Sequence, residues 1–227
     1  MLNLRRQALG NQLYETKEFS YFGAVKTGVL NLVENKDFGR VLDIGGGDGA
    51  TSKYVVNNGL AISSSVLEPY AEFSSSDGVS FIRGSAEDPA IYEEFKRNGK
   101  QFDTLFCFDV LEHLYDPWKA LKAASNVQSS VGRLIVSMPN ARFVALTVPL
   151  VLFGRFNYKA SGIMDHTHIR WFTRSSTIEL VESAGYKIEK ISGFIEPRVR
   201  IINSLTFGIF RRFFEYQYII EARKISD

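Results

Sequence analysis

The chain has 227 residues, 45% hydrophobic, 23% charged and 13% aromatic, the make-up of a folded domain and not of a disordered or fibrous chain. A domain of this size buries roughly 70% or more of its unfolded surface, so it needs neither disulfides nor a structural metal, and its single cysteine, Cys107, forms no internal bridge and points to a reducing, cytoplasmic setting. Lys plus Arg number 27 against 25 for Asp plus Glu, a balance with little field for a polyanion, so nucleic-acid binding is not expected.

No apolar run follows Arg5 and Arg6, so no secretory signal is expected. Apolar residues at Phe22, Val25, Val29, Leu30 and Val33 predict a helix over Tyr21–Val33, within an N-terminal helical cap spanning residues 1–37. Strand-like and helical runs then alternate. RVLDIGG precedes a helix over Ala50–Asn57, SSVLEP and SFIRGSAED precede one around Ile91–Arg97, and FDTLFCFDVLEH precedes one around Pro117–Ser125. GRLIVSMPN follows, then an insertion over residues 141–170, a helix capped by Thr173 and ended by Gly185, and strands at YKIEKISGF and EYQYIIEARK. Such alternation predicts one α/β domain over residues 1–227, a Rossmann-like, mostly parallel sheet with helices on both faces.

Gly45, Gly46, Gly47 and Gly49 stand between a buried strand and a helix. Glycines let the backbone turn and approach a ligand closely, and a helix N-terminus offers free N–H groups. Gly45-x-Gly47-x-x-Ala50 fits the dinucleotide fingerprint, with Glu68 at the tip of the next strand. Asp43, two residues before the loop, tips the balance: it would repel a pyrophosphate but attract the ammonium of S-adenosylmethionine.

On these residues the chain resembles the class I S-adenosylmethionine-dependent methyltransferases, from about residue 38 onward. The resemblance implies a seven-stranded sheet whose last strand is antiparallel, and S-adenosylmethionine as cofactor. It places Asp43, Gly45, Gly47 and Gly49 at the methionine end, Glu68 on the ribose hydroxyls, Ala86 and Glu87 of GSAEDP by the adenine, and Asp109 of FCFDVLEHL at the methionine portion or the acceptor.

All three histidines fall in two segments, His113 in DVLEHL and His166 and His168 in MDHTHIRWFT. Histidine suits proton transfer near neutrality. No cysteine accompanies the H-x-H pair, and the close acids are Asp165 and Glu112, so no metal is expected. The runs Pro139-Asn140, Gly154-Arg155-Phe156-Asn157-Tyr158 and Asp165-His166-Thr167-His168-Ile169-Arg170-Trp171-Phe172-Thr173 resemble a narrower branch of these enzymes, associated with polysaccharide and glycoconjugate biosynthesis and overlapping ubiquinone-type methyltransferases. The resemblance makes residues 141–170 an acceptor lid. Arg155, Tyr158, His166 and Arg170 then serve as acceptor anchors, and His168, supported by Asp165, or His113 serves as base.

The apolar run Phe143–Phe153 has 11 residues, short of the ~20 that span a bilayer. It reads as a buried lid helix, or as a wall for a lipid-linked acceptor with peripheral membrane contact. The expected function is O-methylation of a small-molecule or lipid- or glycan-linked acceptor. An NAD(P)-dependent oxidoreductase or epimerase and a non-catalytic S-adenosylmethionine-binding partner protein are the alternatives.

Overall fold

The computed structural model describes residues 24–69, 75–76, 78–195, 205 and 207–225. Seven strands form one sheet: β1 (Arg40–Ile44), β2 (Ser63–Glu68), β3 (Val79–Arg83), β4 (Phe102–Phe108), β5 (Gln128–Pro139), β6 (Tyr186–Ile195) and β7 (Glu215–Lys224). Their order is β3-β2-β1-β4-β5-β7-β6. β1 to β5 pair in parallel, while β7 runs antiparallel to both β5 and β6. The central strands β1 and β4 are buried on both faces, β4 as a near-continuous apolar run, whereas β3 at the sheet edge is only partly buried.

Side-chain alternation sends neighbours to opposite faces. Leu42, Leu105, Leu134 and Ile220 pack on one side with Leu121, Ala124, Leu180 and Val181, which come from the helices α4 (Pro117–Ser125) and α6 (Arg174–Ser183). Val41, Phe106, Ile135 and Ile219 pack on the other with Val29, Leu30, Val33 and Val55. The one-turn α1 (Thr27–Leu30) and the longer α2 (Ala50–Asn57) supply three of these four.

The helix boundaries follow local chemistry. Asp88 accepts from the Ala90 N–H ahead of α3 (Pro89–Arg97), and Asp116 accepts from the Lys119 N–H ahead of α4, each with proline inside the first turn. Thr173 and Ser176 form a reciprocal capping box on α6, which stops before Gly185 at φ 91°.

Two expectations need correction. The helix foreseen over Tyr21–Val33 is α1, four residues long; residues 1–23 lie outside the described residues. Gly28 weakens the helix, and Val29, Leu30 and Val33 are buried by packing on the sheet and not by helical continuation. The apolar run does form a helix, α5 (Val144–Phe153), but only Leu146 of it is buried. Val151, Leu152 and Phe153 are 78%, 67% and 66% exposed. Its inner end rests on a small cluster of Phe143, Leu146, Ile163 and Met164, which is too small to cover the rest. No helix among the described residues is long and apolar enough to cross a membrane.

Candidate active site

The turn from β1 into α2 places Gly45, Gly47 and Gly49 at φ 71°, 58° and 73°, backbone that L side chains rarely adopt. A Cβ on Gly45 would also run into Val110. The loop is tied down from the neighbouring strand: the Gly45 N–H donates to the Leu67 carbonyl at 2.9 Å, and the Gly47 N–H donates to Glu68 Oε2 at 3.2 Å. Glu68 is thereby held, buried, at the lip of the loop.

Asp43 lies beneath Gly46 and accepts from the Ser52 hydroxyl at 2.6 Å. Burial pushes its carboxyl up to about 6, against the lowering pull of Ser52 and then of Lys26. Ala24, Lys26, Asp43, Gly45, Gly47, Thr51, Phe108 and Asp109 line the cleft at this turn, so the segment ahead of α1 closes its mouth. Asp109, at φ 55°, ends β4 there. Its carboxylate accepts from Lys26 Nζ at 2.8 Å, from the Ser137 hydroxyl at 2.9 Å and from the Gln217 amide. Lys26 and Gln217 carry no motif, and sequence reasoning missed both.

On the side of β3, Ala86 is buried and its carbonyl accepts from the Tyr92 hydroxyl at 2.8 Å. The Glu87 carboxylate accepts from the Asp116 N–H at 2.7 Å and joins two loops of the rim.

The turn Leu111–His113 after β4 carries the second half of the site. Both the Ile169 and Arg170 N–H groups donate to the Glu112 carbonyl at 3.1 Å, which docks the DHTHIR segment onto this turn. His113 Nδ1 lies 3.0 Å from the Thr167 carbonyl, and His168 Nδ1 lies 2.9 Å from the Ile163 carbonyl. A carbonyl only accepts, so each ring carries a proton on Nδ1. The two rings meet edge to face at 4.6 Å, and the buried Glu112 carboxylate stands 3.9 Å from His168 Nε2. One ligand atom from each of Glu112, His113 and His168 falls within 4.8 Å of the others, close enough to surround one cation.

This grouping departs from the expected one. His168 is tautomer-fixed by Ile163 and not by Asp165, whose Oδ1 accepts from the Thr167 N–H and hydroxyl and shapes the turn. Arg170 donates to the Leu114 and Tyr115 carbonyls and stacks over Trp118. Tyr158 and the exposed His166 stack on each other at 6.1 Å beside Trp171. Arg155 is exposed, over the Phe153 ring.

A family model described as a methyltransferase domain matches residues 19–191. The chain belongs to that family. It is a class I methyltransferase with S-adenosylmethionine as cofactor. This methyltransferase is 23% identical over 156 residues to a ubiquinone biosynthesis O-methyltransferase of Aeromonas salmonicida, covering 68% of this chain and 65% of that protein. A protein of the same description from Xanthomonas euvesicatoria is 26% identical over 170 residues, covering 70% of this chain and 67% of that one. The chain thus spans about two thirds of the length of these relatives. Among solved structures, an S-adenosylmethionine-dependent methyltransferase of Mesorhizobium loti superposes with a TM-score of 0.60 at 13% identity, covering 89% of this chain and 99% of that one.

Proposed function

We propose that this methyltransferase moves the methyl of S-adenosylmethionine to a hydroxyl oxygen of a small-molecule or lipid- or glycan-linked acceptor. In this reading the glycine-loop cleft takes the cofactor, with Glu68 on the ribose diol, Asp43 facing the ammonium and Lys26 facing the carboxylate. The sulfonium already makes the methyl electrophilic, so the protein has to align the acceptor oxygen in line and remove its proton. As oxygen binds the methyl, the C–S bond breaks to leave S-adenosylhomocysteine, and the hydroxyl proton passes to an imidazole Nε2.

One observation supports oxygen as the accepting atom: two histidines, each with Nδ1 on a backbone carbonyl, and a buried carboxylate, gathered at the turn that follows Asp109. His113 is the more exposed of the two, which makes it the first receiver, with His168 and Glu112 behind it to stabilise the charge. Residues 141–170 cover the acceptor in this reading. An oxidoreductase loses its support, since the family match is to a methyltransferase domain.

The test is turnover with methyl-labelled S-adenosylmethionine and a panel of phenolic, sugar, carboxylate and amine acceptors. Label on oxygen, together with a rate indifferent to EDTA, supports proton transfer by the histidines. A rate abolished by EDTA and restored by Mg²⁺ or Zn²⁺ assigns Glu112, His113 and His168 to a cation instead. No transfer to any hydroxyl, with transfer to nitrogen or carbon, overturns O-methylation.

A further inference from the structure

A second cavity, of about 570 Å³, opens where β5 ends and β7 begins. Arg142, Arg174, Arg211 and Arg212 line it, and Glu215 is the one acid among the described lining residues. Arg211 Nε bonds Glu215 at 3.0 Å, which leaves three further guanidinium groups among the described lining residues. The Arg142 guanidinium lies over the Phe213 ring, 4.3 Å from its centre.

The backbone that carries these arginines is braced from within. Asn140 is buried; its amide donates to the Arg212 carbonyl at 2.9 Å and to the Glu215 carbonyl at 2.6 Å, and its oxygen accepts from the Arg142 N–H at 2.9 Å. Gly193 leaves room for the Glu215 carboxylate, which a Cβ there would overlap. Tyr218 lies within reach of both signs of charge: burial and then Glu215 raise its hydroxyl to about 12, against the smaller lowering pull of Arg142, Arg174 and Arg212. Its oxygen has no hydrogen-bond partner among the described residues.

We propose that this cavity binds a phosphate or pyrophosphate group on the methyl acceptor, an inference that rests on the methyltransferase reading above. Guanidinium forks match phosphate oxygens in pairs, and three guanidinium charges beyond the Arg211–Glu215 pair, among the described residues, exceed what a single carboxylate would call for. The position is apt. Glu215 on the cavity wall and Gln217 at Asp109 are two residues apart on β7, about 7 Å along a strand. A phosphate held here would leave the adjoining hydroxyl-bearing part of the acceptor beside the methyl.

The experiment is calorimetric titration of the full chain with inorganic pyrophosphate in saturating S-adenosylhomocysteine. Saturable binding is expected, weakened tenfold or more in Arg174→Ala and Arg212→Ala and less in Arg174→Lys, with S-adenosylhomocysteine affinity unchanged in all three. A chain that binds S-adenosylhomocysteine but shows no saturable pyrophosphate binding, or variants that bind pyrophosphate as the parent does, would overturn the proposal. Failure of S-adenosylhomocysteine itself to bind would count against the methyltransferase reading. Farnesyl pyrophosphate provides the second arm. Affinity equal to that of pyrophosphate marks a water-soluble phosphorylated acceptor, and a tenfold gain that Val151→Asp removes marks a lipid-linked one.

Discussion

Lys26 Nζ stands 2.8 Å from Asp109 Oδ2 across the mouth of the glycine-loop cleft, joining the approach to α1 with the end of β4. The Lys26 side chain is 39% exposed, so the pair adds little to stability, under about 1 kcal/mol. In the proposed reading Lys26 presents a cation to the cofactor's carboxylate. Lys26→Ala is expected to weaken S-adenosylmethionine binding about 3- to 10-fold with almost no change in thermal midpoint, as read by titration and melting in parallel.

Asp43 makes cofactor affinity depend on pH. Its folded value of about 6 exceeds the ordinary 3.8, so between those values the folded chain holds a proton that the unfolded chain has lost. Stability therefore falls as pH rises through this window and levels off above it. Cofactor binding goes the other way, because the ammonium favours the carboxylate. Affinity should rise about tenfold from pH 5 to pH 7 and then level off. Asp43→Asn should flatten that profile, and a titration series at four pH values would show it.

Glu68 and Gly45 fail differently. Glu68→Ala removes a charge-assisted acceptor and should cost about 1.5 to 3 kcal/mol of cofactor binding. Gly45→Ala places a Cβ against Val110 at a backbone angle of 71°, so both folding stability and binding should drop. Unchanged affinity in Glu68→Ala would remove that residue from the site.

The histidine cluster separates chemistry from binding. With an accepted substrate, His113→Ala and His168→Ala should each lower turnover by about 100-fold while cofactor affinity stays within twofold of the parent. The double variant should be scarcely worse than either single one, because the two rings act as a unit. Additive losses would mean that the histidines serve separate steps.

Asn140 tests the brace behind the arginines. Three backbone groups lose their partner in Asn140→Ala, and destabilisation of about 2 to 3 kcal/mol is expected by chemical denaturation.

Regular repetition made much of this molecule legible. The ends of α2 and α4 lie where apolar spacing, caps and prolines put them, because those signals act within one turn of chain. The antiparallel place of β7 came from family likeness alone, since a strand's own pattern does not name its neighbours. The exposure of Val151, Leu152 and Phe153 was illegible for the same reason: apolar spacing tells what can be buried, not whether something covers it. Glycines and acids within a few residues of one another marked the cleft. The contact of His113 with His168, and of Lys26 with Asp109, joins segments 55 and 83 residues apart, and nothing in either segment announces the other.

The position of β7 also has a consequence for how the molecule assembles. Asp109 reaches one of its three partners, Gln217, across 108 residues of sequence, on a strand that slots between two already synthesised neighbours. As the chain leaves the ribosome, β1 to β5 can pair in order, yet the wall beside Asp109 stays open until Gln217 has emerged and β7 has entered between β5 and β6. The nascent chain would therefore acquire full cofactor affinity in one late step, well after its glycine loop has formed.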